Sequence, residues 1–184
     1  MKRPVALLLS LSALGAMPAL AQASRYGLMG PGSDSGSQYS EEEAAPWKEL
    51  EIEPPAFPRP ENLREFYVSA IASNTFLIDA STLAVGSDGV VRYVLAVRTA
   101  GGAENISFEG MRCSDMSWKL YATGSRDGRW SKARISEWRA IENKLLNRHH
   151  AALSRDYFCP NGNPILSPDE GRNALRLGKH PDTK

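Results

Sequence analysis

Two short turns enclose the run of residues that most constrains the fold. Asp88-Gly89 is typical of a tight hairpin turn, and residues 90–97 behind it form the most strand-like run in the sequence. A second turn at Gly101-Gly102 leads into another alternating segment, which ends at Cys113. Strands joined by turns this short pair antiparallel, because a parallel pair needs a long crossover. Residues 88–113 therefore predict the central hairpin of an antiparallel sheet.

Shorter runs on either side extend this hairpin. Residues 66–71, 75–79 and 118–122 read as further strands, and a polar loop at residues 124–128 leads to Trp130. Successive strands with short turns predict a meander of four to six strands. The fold class we expect is α+β, with one amphipathic helix packed across a face of the sheet.

The helix is predicted from a change of period after Trp130. Ser136 is a suitable N-cap, and an apolar stripe with helical spacing follows it. The members of this stripe are Trp138, Ile141, Leu145 and Ala152. The pattern indicates a helix from about Ser136 to Leu153.

The N-terminal residues have the form of a secretory signal peptide. Lys2 and Arg3 precede a short run of leucine and alanine, and small residues suited to cleavage follow, after Ala21 or Ala23. The apolar run is too short for a membrane span of about 20 residues, and the rest of the sequence predicts none. Residues 1–23 are therefore interpreted as a signal peptide of an exported protein.

The remaining chain divides into three predicted parts. Residues 24–62 are acidic and rich in glycine, serine and proline, a composition that predicts disorder, with a partner-binding strap as the alternative for the proline-rich end. Residues 63–160 form the predicted α+β domain, and residues 161–184 a C-terminal tail. Residues 24–65 carry nine acidic and four basic side chains, whereas the chain from residue 66 onward carries sixteen basic and twelve acidic ones. This mild basic excess, in an exported protein, argues against nucleic acid as a partner.

The sequence has two cysteines, Cys113 and Cys159. In an exported protein such a pair favours a disulfide over a metal site or a reactive thiol. No Cys-x-x-Cys motif indicates a redox function. We therefore expect the bond to tie the end of the helix to the end of the central hairpin.

Several motifs together resemble the cryptic-neisserial-protein-like family. They are the segments 88–93 (DGVVRY), 109–113 (EGMRC) and 119–122 (KLYA), together with Trp138. The resemblance covers about residues 47–159. It implies a small exported protein of the Gram-negative envelope, hence a periplasmic location. The family is a domain of unknown function, so the resemblance implies no activity and no catalytic residues.

Few residues stand out as candidates for function. Arg92, Glu109 and Arg112 lie near one end of the predicted hairpin, where cross-strand pairing of carboxylate and guanidinium would either order the hairpin or form a small anion site. Arg129 follows the polar loop, close to the aromatic side chains Trp118, Tyr121, Trp130 and Trp138. Most of these aromatic side chains are expected to form the core between sheet and helix. One or two left exposed beside this arginine would suit a protein or glycan partner of the envelope.

Other chemistries lack a motif. His149 and His150 are adjacent on the predicted helix and diverge by about 100°, so they do not predict a metal site. Nucleophile elbows and phosphate or dinucleotide loops are absent from the sequence, which predicts no cofactor and indicates no oligomeric state. The sequence therefore favours a non-enzymatic accessory or binding protein that acts through the sheet or the acidic segment. The alternative is a small hydrolase-like envelope enzyme with a site near Arg92, Glu109 and Arg112.

Overall fold

An antiparallel sheet forms the centre of the computed structural model, which describes residues 46–145 and 147–183. Within these residues the strands are β1 (Leu63–Glu65), β2 (Thr75–Asp79), β3 (Ala84–Val85), β4 (Val90–Arg98), β5 (Glu104–Arg112), β6 (Ser117–Gly124), β7 (Trp130–Lys132) and β8 (Arg139–Ala140). Their order is β1-β2-β4-β5-β6-β7, while β3 pairs with β4 and β8 with β6. The predicted α+β fold with an antiparallel meander is confirmed, and short additional strands bring the described sheet to eight.

The central hairpin is formed by β4 and β5, as predicted. The two strands pair continuously from Val90 opposite Arg112 to Arg98 opposite Glu104. The turns at both ends of β4 depend on glycine, because Gly89 and Gly102 have φ angles of 74° and 82°. The hairpin therefore provides the two longest strands of the described sheet.

The two faces of the sheet are buried by different parts of the chain. Successive residues of a strand point to opposite faces, so Tyr93 and Val94 belong to different cores. The larger core lies between the sheet and the helices and includes Ile78, Tyr93, Leu95, Met111, Leu153, Phe158 and Leu175. The smaller core consists of Val94, Phe108 and Ala122, with Ile52 and Trp130 packed against it. Ile52 comes from the segment before β1, so this segment covers the second face.

Two helices form the layer on the first face. Helix α1 (Arg148–Ala152) continues directly into a π-helical segment, Leu153–Phe158. Helix α2 (Pro168–Leu177) begins with the hydroxyl of Ser167 accepting a hydrogen bond from the backbone N–H of Glu170, and it ends at Gly178 in the left-handed conformation. Both helices contribute buried side chains to the larger core.

The predicted helix from Ser136 to Leu153 is wrong for the residues before Arg148. Ser136 is not an N-cap, since its hydroxyl donates to the carbonyl of Leu120 in β6. Arg139 and Ala140 instead form β8 beside β6. The backbone hydrogen bonds available at the edge of the sheet thus replace those of a helix, and the helix begins at Arg148.

The folded part of the chain differs from the predicted boundaries at both ends. The predicted signal peptide and residues 24–45 lie outside the described residues, whereas residues 46–59 run along the sheet and Pro60–Asn62 form a short 3-10 helix before β1. The strand predicted at residues 66–71 is wrong, because β1 ends at Glu65. At the other end, α2 packs into the larger core through Ala174 and Leu175. Residues 161–183 are therefore not a separate tail, because the apolar side of α2 completes the burial of the sheet.

A disulfide between Cys113 and Cys159 connects the end of the central hairpin with the end of the π-helical segment. The two Cα atoms are 5.5 Å apart. The bond therefore joins the sheet to the helical layer, as predicted. None of the helices in the described part of the chain is long and apolar enough to cross a membrane.

Candidate functional site

An extended N-terminal segment, residues 46–58, crosses the face of the sheet opposite the helices. We call it the strap, and the face beneath it the strap face. Its Glu49 carboxylate accepts hydrogen bonds from the Lys119 Nζ (2.8 Å), the Tyr121 hydroxyl (2.7 Å) and the Trp138 Nε1 (3.2 Å). Burial alone would raise the pKa of Glu49, but these donors outweigh burial and hold its pKa below the usual value. The carboxylate thus anchors the strap to β6 and to the segment that precedes β8.

A buried ion pair lies next to this anchor. The Arg92 guanidinium donates to both carboxylate oxygens of Asp88, at 3.0 and 2.6 Å, and the two side chains are 5% and 1% exposed. Asp88 also accepts a hydrogen bond from the backbone N–H of Leu50 in the strap (2.9 Å). Burial opposes the charge of Asp88, but the hydrogen bonds from Arg92, Leu50 and Val90 lower its pKa to about 2. Asp88 therefore joins the hairpin turn, the sheet and the strap.

Aromatic side chains enclose the same end of the strap. The Arg112 guanidinium lies 4.2 Å from the ring centre of Trp47 and 4.8 Å from that of Trp138. The two indole rings meet edge to face, with their centres 6.0 Å apart. The Trp47 Nε1 also donates to the carbonyl of Asp88 (2.8 Å). Arg112 is thus held between two indoles, an arrangement that stabilises a partly exposed cation.

A groove of about 740 Å³ opens between the strap and strands β6 and β7. The Trp130 ring lies at its edge, and its Nε1 donates to the carbonyl of Pro55 (2.8 Å). The groove is lined by Glu49, Leu50, Glu51, Ile52, Glu53, Pro54, Lys119, Tyr121, Ala122, Trp130, Lys132 and Ser136. It therefore offers aromatic surface, two ammonium groups and three carboxylates. Burial, together with the Glu49 carboxylate, holds the pKa of Tyr121 well above its ordinary value, so its hydroxyl remains a donor.

The predicted pairing among Arg92, Glu109 and Arg112 is wrong. The register sets Arg92 opposite Gly110 and Glu109 opposite Tyr93, so the side chains of Arg92 and Glu109 point to opposite faces. Arg92 pairs with Asp88 instead, and Arg112 with Asp115. The structure therefore brings Arg92 and Arg112 to the strap face and separates Glu109 from them.

Arg129 lies apart from the other predicted residues. It is in the loop between β6 and β7, where its side chain is 82% exposed and pairs with Asp127. Of the aromatic side chains expected near it, Trp118 faces the helical layer, while Tyr121, Trp130 and Trp138 lie on the strap side.

Glu109 instead belongs to a buried pair beneath α1. Its carboxylate lies 2.8 Å from the Nε2 of His150 and accepts a hydrogen bond from the Ser107 hydroxyl (2.6 Å). The His150 ring stacks on Trp118, with ring centres 3.8 Å apart. Burial raises the pKa of Glu109, but the nearby histidine and the Ser107 hydroxyl together lower it below its usual range. The neighbouring His149 is half-buried, and this partial burial together with the adjacent His150 lowers its pKa to about 4.

Sequence reasoning did not find this pair, although a signal was available. His150 lies on the first turns of a helix with buried neighbours, and Glu109 lies on a central strand. When a strand and a helix each bury an ionisable side chain and pack together, the two side chains are expected to pair, because an unpaired buried charge is costly. In the described part of the chain no group of three or more histidine, cysteine, aspartate or glutamate side chains is placed to hold a metal ion.

The residues that form the strap-face site include several of the motifs noted in the sequence. Six residues of these motifs contact the strap directly or contact a residue that does: Asp88, Arg92, Arg112, Lys119, Tyr121 and Trp138. Fold and site together define a small α+β protein in which an antiparallel sheet carries helices on one face and an N-terminal strap on the other. A family model described as the CNP1-like family matches residues 42–176, and the chain belongs to this family.

One curated relative agrees with this assignment. The chain is 30% identical over 101 residues to Cryptic neisserial protein 1 of Neisseria gonorrhoeae, an alignment that covers 48% of the chain. The chain spans about half the length of this relative, 49%. The family resemblance inferred from the motifs is thereby confirmed. No solved structure matches the chain.

Proposed function

We propose that this protein is an exported, periplasmic, non-enzymatic binding protein, and that the groove beside the strap holds a segment of an envelope partner protein. The periplasmic location is supported by the signal-peptide pattern of residues 1–23. The binding function is supported above all by one observation, the mixed lining of the groove.

The groove has the features of a protein-binding surface. Its volume of about 740 Å³ leaves room for side chains of a partner segment. Trp130 and Tyr121 provide aromatic area, the residue type that dominates binding energy at interfaces. Lys132, Glu51 and Glu53 are exposed around it, as charged residues are at an interface rim.

The geometry favours binding over the hydrolase-like alternative. That alternative placed a site around Arg92, Glu109 and Arg112. Because the two arginines face the strap and Glu109 faces the helices, these residues share no surface on which a substrate could contact all three. The Glu109–His150 pair could exchange a proton, but both side chains are at most 5% exposed. A substrate would have to displace α1 to reach it.

Export is tested by fractionation of cells that produce the full chain or a variant without residues 1–23. We expect the full chain in the periplasmic fraction and the shortened variant in the cytoplasm. Recovery of both chains from the cytoplasm would contradict the proposed location.

Binding is tested by photocrosslinking in intact cells. A photoreactive residue replaces Lys132 or Glu53 at the groove, and Leu166 serves as the control because it is 88% exposed and precedes α2 in the helical layer. We expect a discrete protein adduct at both groove positions and none at Leu166. An adduct at Leu166 alone, a glycan adduct in the groove or no adduct at either groove position would contradict a protein partner at this surface.

A further inference from the structure

A second, smaller pocket lies on the other side of the molecule, beside the start of α1. It has a volume of about 250 Å³ and is lined by Val68, Ser69, Asn143, Arg148, Ala152 and Arg155. It shares no lining residue with the groove beside the strap. It is therefore separate from the proposed protein-binding surface.

The charges around this pocket are unbalanced. Two guanidinium groups line it, and none of its six lining residues is acidic. Arg155 is already neutralised, since its Nε and NH2 atoms donate to the Asp156 carboxylate at 2.9 and 2.5 Å. Among the described residues, no carboxylate lies within salt-bridge distance of Arg148. The uncompensated charge of the pocket therefore resides on Arg148.

The donors of Arg148 are also poorly satisfied. The only side-chain acceptor that the described residues offer is the Ser69 hydroxyl, 3.5 Å from the NH1 atom, at the limit of a hydrogen bond. The Nε atom is buried and has no partner in the described part of the chain. A buried donor without an acceptor destabilises a fold, but this Nε atom is too deeply buried for an anion in the pocket to reach it. The NH2 atom is neither buried nor hydrogen-bonded among the described residues, so it is the donor that an anion can reach.

The shape of the available donors indicates which ligand would fit. The NH1 and NH2 donors of a guanidinium form a planar fork that matches two oxygen atoms of one carboxylate or phosphate group. The Ser69 hydroxyl and the Asn143 amide line the same pocket and can donate to further oxygens. Arg148 is the first residue of α1, in which His150 and Ala152 are buried.

From this arrangement we infer that the pocket is a binding site for a small oxyanion, in which Arg148 makes the central ionic contact and Ser69 and Asn143 supply neutral donors. Phosphate and carboxylate groups share the required chemistry. The site needs no metal and no movement of the sheet.

The test is a titration of the purified chain, followed by two-dimensional nitrogen–proton NMR at pH 7. Inorganic phosphate and acetate are added separately, with chloride keeping the ionic strength constant. We expect saturable shifts of the Ser69 and Asn143 signals and of the Arg148 Nε–H signal with at least one of the two anions. Saturation by phosphate alone would identify a phosphate site, and saturation by acetate would identify a carboxylate site.

Arg148→Gln should weaken the saturable binding at least tenfold, which corresponds to about 1.4 kcal/mol. Arg134→Gln, which removes an exposed arginine elsewhere, should leave it unchanged. Arg148→Lys keeps the charge but loses the fork, and we expect intermediate binding. Non-saturating shifts with both anions, or equal loss in the Arg134 and Arg148 variants, would overturn the inference. If Arg148→Gln does not fold, the wild-type titration and the lysine variant still decide it.

Discussion

Asp88 combines a local and a long-range function in one side chain. The Asp-Gly pair forms the tight turn before β4, as its sequence predicts. The same carboxylate neutralises the buried Arg92 and receives the backbone N–H of Leu50 from the strap. The turn could be predicted from two adjacent residues, whereas the contact with Leu50 spans 38 positions and has no local signal.

The pKa of Asp88 gives a prediction for stability against pH. Its folded value of about 2 lies below the ordinary value of 3.8. The stabilisation is therefore complete above about pH 5 and is lost as the pH falls toward 2, with most of the loss below pH 4, and it amounts to roughly 2 kcal/mol. In urea unfolding at pH 7, 4 and 2.5, the difference in unfolding free energy between wild type and Asp88→Asn should shrink over the last interval.

The control for this series is Asp169→Asn, at an 88% exposed position. It should lower stability by less than about 1 kcal/mol, since exposed ion pairs contribute little. A difference between wild type and Asp88→Asn that stays constant from pH 7 to 2.5 would contradict the contribution we assign to the buried carboxylate.

Gly110 provides a second test at the level of a single residue. A Cβ atom at this position would lie 2.5 Å from the hydroxyl oxygen of Tyr121, whose hydroxyl is fixed by Glu49. We expect Gly110→Ala to lower the free energy of unfolding by about 1 to 3 kcal/mol, because the tyrosine and the strap must shift. Gly101→Ala is the matched control, because a Cβ atom at position 101 would lie no closer than 3.9 Å to a neighbouring atom. Equal effects of the two substitutions in thermal unfolding would show that Tyr121 is free to move.

Among the elements, the segments at the two ends of the domain differ most from the sequence prediction. The strap consists of extended and proline-rich residues, which carry no periodic pattern, and its anchor Glu49 meets Lys119, 70 positions away. The helix prediction is wrong before Arg148 because contacts distant in sequence again decide the structure. Trp138 and Ile141 fit a helical stripe, but the open edge of β6 offers their segment a backbone partner instead. A local sequence pattern does not show whether a segment will form its backbone hydrogen bonds within a helix or with the edge of a sheet.

A short helix at about residues 169–177, corresponding to α2, is predictable from the sequence. Ser167, Pro168 and Gly178 are the cap, first-turn and terminator residues that an α-helix prefers. What the sequence did not reveal is that this helix belongs to the core, since the leucines at 175 and 177 look equivalent. In the structure they are 5% and 50% exposed.

This pair of leucines tests whether α2 is part of the folded domain. Leu175→Ala should lower the free energy of unfolding by about 2 to 4 kcal/mol, because it removes buried apolar volume. Leu177→Ala should cost less than about 1 kcal/mol. Urea unfolding monitored by tryptophan fluorescence measures both. Similar small effects would mean that residues 161–183 behave as the predicted tail.

On the scale of the whole molecule, the disulfide connects the sheet with the helical layer. Its cysteines are 46 positions apart, and closing a loop of that length stabilises a fold by roughly 4 kcal/mol on the chain-entropy model. Both its formation and its partners could be predicted from the sequence, because the chain has no other cysteine.

Reduction should therefore lower the thermal unfolding temperature substantially. A scan with and without dithiothreitol measures the effect, and a double Cys113→Ala, Cys159→Ala variant is the control that should not respond to the reductant. An unfolding temperature unchanged by complete reduction would contradict the contribution assigned to the bond.

We propose that the partner binds in the groove beside the strap and not to the acidic residues before it. The measurement is photocrosslinking at Lys132 in a chain that lacks residues 24–45 but keeps residues 1–23 and the strap. We predict the same protein adduct, in similar yield, as in the full chain. Loss of the adduct from a shortened chain that still folds would assign binding to the acidic segment and contradict the groove.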